Sequence, residues 1–442
     1  MGYVKEMGLT KFSIKKTILS LFRNMKKNNY IYFFPIILIL SIGLGYYFKE
    51  DSLGGAQHDY LFHEKFFSLF LNDFNQTFSN YGSGEFRARN SPVFYIIFAF
   101  LLKIGFTIES LKYVSSLILI GYFTVFTKCL AIKYNNINVS YQILFASIIL
   151  VSPTIRSLII WPYPFIWALL IFLFSILFFL KFQNNKDESG RFKYSIYNII
   201  FVAFSSYITP NFAVFSIYFL YCFYQYYRFS KKIYFIILLN ITLALPAIYY
   251  YFSRDFYIFS HSVYEVDNFT KYNIFNKIII ISSLIAFYFL PFIKLNMLSL
   301  RSVATYLLSS KFRILLLISL IFYVLFNFPI GAGGGIFYHL SNKILGNSHI
   351  LYLIFILSLI IFDLHGFFSK KNIVLLFCLI IFNPQLTIYH KYFDPLIYFL
   401  ILFLFEKKGA DFVKLSKKLY FKILIFYSFF LILNIYKRLI VY

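Results

Sequence analysis

Long uninterrupted apolar segments dominate the pattern of this chain. Residues 31–47, 165–180 and 350–362 lack the regularly spaced polar positions of a surface helix or a half-buried strand. Lipid offers no hydrogen-bond partner to the backbone, so segments of this kind cross a membrane as helices, and about 17–25 residues match the hydrocarbon thickness. The pattern therefore predicts an all-α, polytopic bundle of transmembrane helices.

The composition supports that interpretation. Of the 442 residues, 60% are hydrophobic and only 13% are charged, whereas soluble domains average about 45–50% apolar and about 25% charged residues. Cys129, Cys222 and Cys378 all lie inside apolar segments, too far apart in sequence for a metal-ligand spacing. We expect them to be buried apolar residues without chemistry.

Basic residues lie between the apolar segments and set the predicted topology. The net charge is +25, but the lysines and arginines form short clusters instead of one basic face, which excludes nucleic acid as the expected partner. Cytoplasmic loops are rich in lysine and arginine. Residues 1–29 are therefore predicted to be cytoplasmic, followed by a signal-anchor helix, and residues 49–91 to form a polar extracytoplasmic loop with short helices at the interface.

Residues 30–442 are predicted to form a single transmembrane domain of about 11 to 13 helices. The sides of the membrane assigned to the basic loops before and after residues 93–157 agree only if one apolar run in this stretch does not fully cross. The candidates are 93–106 and 141–151. The basic loops assigned to the cytoplasm are 181–193, 231–232, 301–313, 370–371 and 407–418.

The candidate site consists of polar residues from the predicted outside loops. Asp59 and Glu64 are the candidate catalytic bases. The candidate groups for binding substrate or phosphate are Arg87, Arg89, Arg254, His261, His390 and Lys391. Outside loops are polar because they touch water, and for any single residue this explanation is about as good as a functional role. It does not explain ionisable groups at the mouths of helices, where burying a charge needs a reason.

The glycine-rich stretch at residues 331–335 has two interpretations. Its backbone could cradle a phosphate, or it could be a flexible hinge. The hinge is favoured, because the stretch lacks the context of strand, lysine and helix that a phosphate loop has. The sequence contains no HExxH, GxSxG or Walker pattern, so it does not support metalloprotease, serine hydrolase or ATPase activity.

Several segments resemble the GT-C glycosyltransferases, multi-helix enzymes that use polyprenyl-phosphate-linked sugars. These are the basic N-terminus and first helix, the outside loop with QHDY at 57–60, and RARNSPVFYIIFAFLLKIG at 87–105. The stretches GAGGGIFYHLSNKILGNSH at 331–349 and YHKYFDPLIYFLILF at 389–403 also resemble bacterial surface-polysaccharide polymerases of O-antigen clusters.

The resemblance implies a GT-C-like fold and a catalytic carboxylate in the first outside loop, which maps to Asp59. GT-C enzymes often have an Asp-Glu pair there, whereas this chain has His58-Asp59, so dependence on a divalent metal such as Mg²⁺ or Mn²⁺ stays open. Glu64 is the alternative base. Arg87, Arg89, His390 and Lys391 could hold the phosphate, with arginine favoured for its two-pronged contact.

The function expected from this resemblance is glycosyl transfer on the outer face of a bacterial inner membrane, polymerising O-antigen or other surface-polysaccharide repeats. The implied partners are the bilayer, an undecaprenyl-linked donor, a glycan acceptor, and a chain-length regulator or flippase. One alternative is a transferase that adds a single sugar from a polyprenyl-phosphate monosaccharide. An alternative of another class is a flippase for lipid-linked oligosaccharides, which would carry charged groups along the interior of its helices.

Overall fold

A computed structural model describes most of the chain, and within those residues every regular element is helical. The prediction of an all-α protein is confirmed there, since the β contact between Gly333 and Ile388 is an isolated bridge. The described residues are 29–82, 86, 90–135, 137–253, 273–293, 306–329, 333–383, 387–406 and 415–441.

The described part contains nineteen α-helices and four 3₁₀ helices. The α-helices are α1 Asn29–Tyr47, α2 Ala56–Asn72, α3 Phe74–Asn80, α4 Pro92–Lys103, α5 Ile108–Ser116, α6 Ile118–Lys133, α7 Val139–Ser147, α8 Pro153–Ile160, α9 Pro164–Asn184, α10 Glu188–Ile208, α11 Phe215–Tyr227, α12 Lys231–Ser253, α13 Ile274–Phe289, α14 Ser310–Val324, α15 Gly335–Leu345, α16 His349–Leu364, α17 Lys370–Ile381, α18 Leu396–Phe403 and α19 Lys417–Val441. The 3₁₀ helices are Ile148–Val151, Pro210–Val214, Leu290–Phe292 and His390–Tyr392.

Among these helices, five are long and apolar enough to cross a membrane, and six if the bent pair described below is one span. The five are Ile108–Lys133, Pro164–Asn184, Lys231–Tyr250, Ile274–Phe292 and Lys417–Tyr436. Helices of this length and composition are those of an integral membrane protein. The number is lower than the 11 to 13 predicted, because several apolar runs form helices of 8 to 16 residues, and about 20 residues are needed to span the hydrocarbon.

Both runs that the sequence singles out as short between residues 93 and 157 form short helices. The first is α4, whose 12 residues extend over about 18 Å. The second, Val139–Val151, is followed by α8 after a bend of 68°. The bend falls at Ser152, which precedes Pro153 and is extended, with φ −63° and ψ 121°, because a residue before proline is disfavoured in the helical conformation.

The predicted outside loop is anchored at its start by Asp51. This buried carboxylate accepts hydrogen bonds from the four backbone N–H groups of residues 54–57, at 2.9–3.3 Å. These N–H groups lead into the first turn of α2, where an acidic side chain satisfies free donors and complements the helix dipole. Gly55 has φ 102°, which glycine adopts without strain. The clamp sets the direction of α2 and therefore of Asp59 in its first turn.

Helix α18 lies at the centre of the molecule. All eight of its residues are buried, and its aromatic side chains pack on those of α6, for example Phe403 on Phe126 with ring centroids 5.1 Å apart. A helix that is apolar on every side is buried on every side. The segment 389–395, which leads into α18, is thereby brought into the interior at the end where α2 and α8 begin.

Candidate functional site

The centre of the candidate site is an ion pair between Asp59 and Lys391. Lys391 Nζ lies 2.6 Å from Asp59 Oδ2, and the two side chains are 15% and 34% exposed. Asp59 belongs to α2 and Lys391 to the 3₁₀ helix His390–Tyr392, 332 residues further along the chain. The structure therefore joins a predicted base from the first outside loop to a predicted phosphate ligand from the last one.

Tyrosine rings surround the Lys391 ammonium. Its distance to the ring centroid is 4.9 Å for Tyr163, 5.6 Å for Tyr392 and 5.7 Å for Tyr389, within the range of cation–π attraction. Burial by itself lowers the pKa of Lys391, but the hydroxyls of Tyr163 and Tyr392 and the Asp59 carboxylate outweigh it and raise the pKa above its usual value. The site thus holds a charged ammonium at neutral pH.

His63 also belongs to this cluster, although it was not selected from the sequence as a site residue. It lies one helical turn after Asp59, is 2% exposed, and its Nδ1 is 2.9 Å from the Tyr95 hydroxyl. Its ring packs edge-on against Tyr163 at 4.8 Å. Burial, helped by the charge of Lys391, lowers the pKa of His63 to about 3, so the imidazole is neutral. The spacing of four residues from Asp59 was the available signal, because it places both on one helical face.

Asp394 ties the Lys391 segment to α8. Its fully buried Oδ2 accepts hydrogen bonds from Ser152 Oγ at 2.6 Å and from the Thr154 N–H at 3.3 Å. These donors belong to the free N-terminus of α8, where a carboxylate is favourable. Burial raises the pKa of Asp394 to about 6, and the bonds from Ser152 and Thr154 oppose that rise.

A second anchor, the buried pair of Glu50 and Arg156, fixes α8 from its other side. Arg156 donates to both carboxylate oxygens of Glu50, at 2.7 and 2.5 Å, and its remaining N–H groups bond Ser41 Oγ, Ser41 O and Leu150 O. The described residues form three further ion pairs, and each of these has at least one exposed partner. The Glu50–Arg156 pair is distinguished by burial of both partners, with side chains 12% and 7% exposed.

The described end of the glycine-rich stretch, residues 333–335, packs against the segment that carries Lys391, whereas residues 331–332 lie outside the described residues. The Gly334 N–H donates to Ile388 O at 2.9 Å, and the Ile336 N–H donates to His390 Nε2 at 3.0 Å. His390 Nδ1 lies 3.3 Å from the Tyr288 hydroxyl, so both ring nitrogens contact protein groups. The Gly334 N–H, which a phosphate cradle would use, and the N–H of the residue that follows the stretch are thus engaged within the protein. The structure favours a positioning role for both segments, while phosphate binding by His390 stays a prediction.

The remaining predicted site residues have different placements. Glu64 lies on α2, one residue after His63, and is partly exposed without an ion pair to any described residue. Four of the predicted phosphate ligands lie outside the described residues: Arg87, Arg89, Arg254 and His261.

No metal centre is supported by the part of the chain that the structure describes. It contains no group of three or more His, Cys, Asp or Glu side chains that could hold a metal ion, and Oδ2 of Asp59 is paired with the Lys391 ammonium. The described donor set therefore does not fit Mg²⁺ or Mn²⁺, which prefer several oxygen ligands. Cys129, Cys222 and Cys378 are buried free thiols.

Comparison of the chain with protein-family models, with curated protein sequences and with solved structures finds no match.

Proposed function

We propose that this protein is an integral membrane glycosyltransferase that takes its sugar from a polyprenyl-phosphate carrier at the extracytoplasmic face. The observation that carries the proposal is the contact between Asp59 and Lys391 among tyrosine rings. It places a carboxylate and an ammonium group side by side, in partial contact with solvent, in a bundle of largely apolar helices. Ionisable groups in such surroundings are typical of functional sites.

The ion pair suits a reaction that begins when an anion binds. While Lys391 contacts Asp59, the ammonium occupies the carboxylate oxygen Oδ2. The phosphate of the donor carries several anionic oxygens and competes with Asp59 for the Lys391 ammonium. Movement of Lys391 onto the phosphate frees Asp59 to accept the proton of an acceptor hydroxyl. The acceptor oxygen then bonds to the anomeric carbon as the bond from that carbon to the phosphate oxygen breaks, and Lys391 stabilises the charge of the leaving phosphate.

The surrounding tyrosines suit a sugar between these two groups. Tyr389 and Tyr392 are partly exposed, so each can offer an apolar ring face and a hydroxyl to one ligand. Within this reaction class we propose polymerisation of surface-polysaccharide repeat units, which the similarity of residues 331–349 and 389–403 to bacterial polymerases supports. Transfer of a single sugar is the alternative.

The test is complementation in bacterial cells whose only copy of the gene encodes a variant. We expect Asp59→Asn to reduce glycan synthesis about 10²–10⁴-fold, the usual contribution of a positioned base. Lys391→Met should reduce it about 10²–10³-fold, the usual loss when one group that stabilises developing charge is removed. The double variant Asp59→Lys with Lys391→Asp should stay inactive, because it restores a salt bridge but puts the base and the phosphate-binding ammonium in each other's positions. Lys65→Met, which removes an exposed lysine of the same helix, is the matched control.

The glycan on a gel separates the outcomes. Loss of a polymerase leaves single repeat units, and loss of a monosaccharide transferase leaves a uniformly shortened or undecorated glycan. Wild-type glycan from the exchanged double variant would reduce the pair to a structural salt bridge and refute the proposed chemistry.

Transport of a lipid-linked oligosaccharide is a second candidate, favoured by the bend of 68° between Val139–Val151 and α8. Broken helices inside membranes often line substrate paths. In that case Lys391→Met would cause lipid-linked repeats to accumulate on the inner leaflet, where a membrane-impermeant lectin added to intact cells cannot bind them.

A further inference from the structure

A chain of hydrogen bonds leads from Tyr81 to Nδ1 of the buried His63. The Tyr81 hydroxyl donates to Asn90 O at 2.6 Å, Asn90 Nδ2 contacts the Tyr95 oxygen at 3.4 Å, and that oxygen lies 2.9 Å from His63 Nδ1. If His63 Nδ1 accepts, the Tyr95 proton has a partner. If Nδ1 donates instead, the Tyr95 hydroxyl can turn its proton towards Tyr81, with which it also forms a hydrogen bond. Within the described part of the chain Nε2 has no partner in either arrangement, and only the first gives it a proton to donate.

This tautomer leaves a buried N–H donor at His63 Nε2. Nε2 has no hydrogen-bond partner among the described residues, although the side chain is only 2% exposed. A buried donor without an acceptor costs about 1–3 kcal/mol, so a native structure that keeps one gives reason to look for a missing partner. Here the imidazole and the Lys391 ammonium share Tyr163, with the imidazole ring 4.8 Å and the ammonium 4.9 Å from its ring centroid.

We propose that His63 takes this tautomer and that the missing partner is a phosphoryl oxygen of the lipid carrier, so that His63 Nε2–H and Lys391 hold the same phosphate. This inference rests on the proposed function and adds to it a binding residue for the carrier. A neutral imidazole can fill this role beside an ammonium group, because it contributes a directed donor without a second positive charge. Tyr95 is then a positioning residue that acts through His63.

The test is binding of polyprenyl monophosphate to the purified full-length protein in detergent micelles. His63→Phe keeps the ring shape without the donor and should weaken binding about tenfold or more, the usual loss for a hydrogen bond to a charged group. His63→Gln can still present an N–H near the Nε2 position and should stay within about threefold of the wild type. His58→Gln, on an exposed histidine of the same helix, is the matched control.

Tyr95→Phe separates positioning from packing. Without the hydroxyl, His63 can exchange tautomers, so we expect a smaller loss than for His63→Phe. The double variant should bind no more weakly than His63→Phe alone, since Tyr95 acts only through the imidazole. Losses that add up in the double variant would overturn the proposed tautomer. If His63→Phe does not fold, Tyr95→Phe alone tests the tautomer, and wild-type binding by that variant would overturn it.

Two further measurements separate the sources of failure. Inorganic phosphate should compete with the lipid at millimolar concentration if the phosphate group alone is recognised, and the losses for the His63 variants should then appear with both ligands. If Lys391→Met abolishes lipid binding while His63→Phe binds like the wild type, the role of His63 is refuted and the proposed function stands. If Lys391→Met binds like the wild type, the phosphate site itself is refuted.

Discussion

The buried pair of Glu50 and Arg156 offers the sharpest test of how the site is held in place. Arg156→Met removes the cation but keeps much of the apolar stem, and it leaves the Glu50 carboxylate, 12% exposed, without its partner. Removing one member of a buried pair costs about 3–5 kcal/mol, since the other charge stays buried without compensation. We expect a loss of that size in the free energy of unfolding, because Arg156 also bonds Ser41 and Leu150.

The assay is equilibrium unfolding of the purified protein in mixed micelles with a rising fraction of denaturing detergent. Lys232→Met is the matched control, because the Lys232–Glu188 pair is 34% and 65% exposed and pairs of that kind contribute about 0–1 kcal/mol. The double variant Glu50→Gln with Arg156→Met should be more stable than Arg156→Met, since it removes the uncompensated charge. Equal stability of Arg156→Met and Lys232→Met would refute the assignment of Arg156 as an anchor.

Three further predictions concern the base, the buried carboxylate and the topology. Asp59→Asn should abolish most glycan synthesis while Glu64→Gln retains it, because only Asp59 contacts Lys391; the reverse result in the complementation assay would move the base to Glu64. Burial raises the folded-state pKa of Asp394 to about 6 from a usual value of 3.8, so the folded state binds the proton more tightly and wild-type stability should fall as pH rises from about 4 to 6. Unfolding midpoints of Asp394→Asn should vary less over that range, and parallel curves would refute the assignment. A cysteine at the exposed Ser79 on α3 should react with an impermeant reagent added from outside, whereas labelling only from the cytoplasm would overturn the predicted orientation.

The parts of the fold that depend on one segment of chain could be predicted from the sequence. The first helix was expected at about residues 31–48 and is observed as Asn29–Tyr47, because transfer of an apolar run into lipid is a local property. The incomplete crossing between residues 93 and 157 could also be predicted, since neither short run is long enough to cross alone. The bend at Ser152 could not be predicted, because its angle depends on what the following helix packs against.

The contacts of the site could not be predicted in the same way. Asp59 was selected as the carboxylate of the first outside loop and Lys391 as an ionisable group at the mouth of a helix, but no local pattern relates residues 332 positions apart. His63 was one of several histidines in the predicted outside loops, and only burial against Tyr163 distinguishes it from the exposed His58. Selection by residue type found the charged groups, whereas the partners of those groups follow from tertiary packing.

Both segments that carry the ion pair are fixed to the same short helix, α8. Just before α2, Ser52 donates to Pro153 O and the Leu53 N–H donates to Ser157 Oγ, and just after Lys391, Asp394 accepts from the Thr154 N–H. Movement of α8 as a rigid body would therefore carry Asp59 and Lys391 together and preserve their 2.6 Å contact. Opening of the pair by a phosphate must come from rotation of the Lys391 side chain, which its flexible four-carbon stem allows without disturbing α8. Transfer of the Lys391 ammonium from the carboxylate to a phosphate requires that the backbone is fixed while this side chain moves. The contacts of both segments with α8 provide that arrangement.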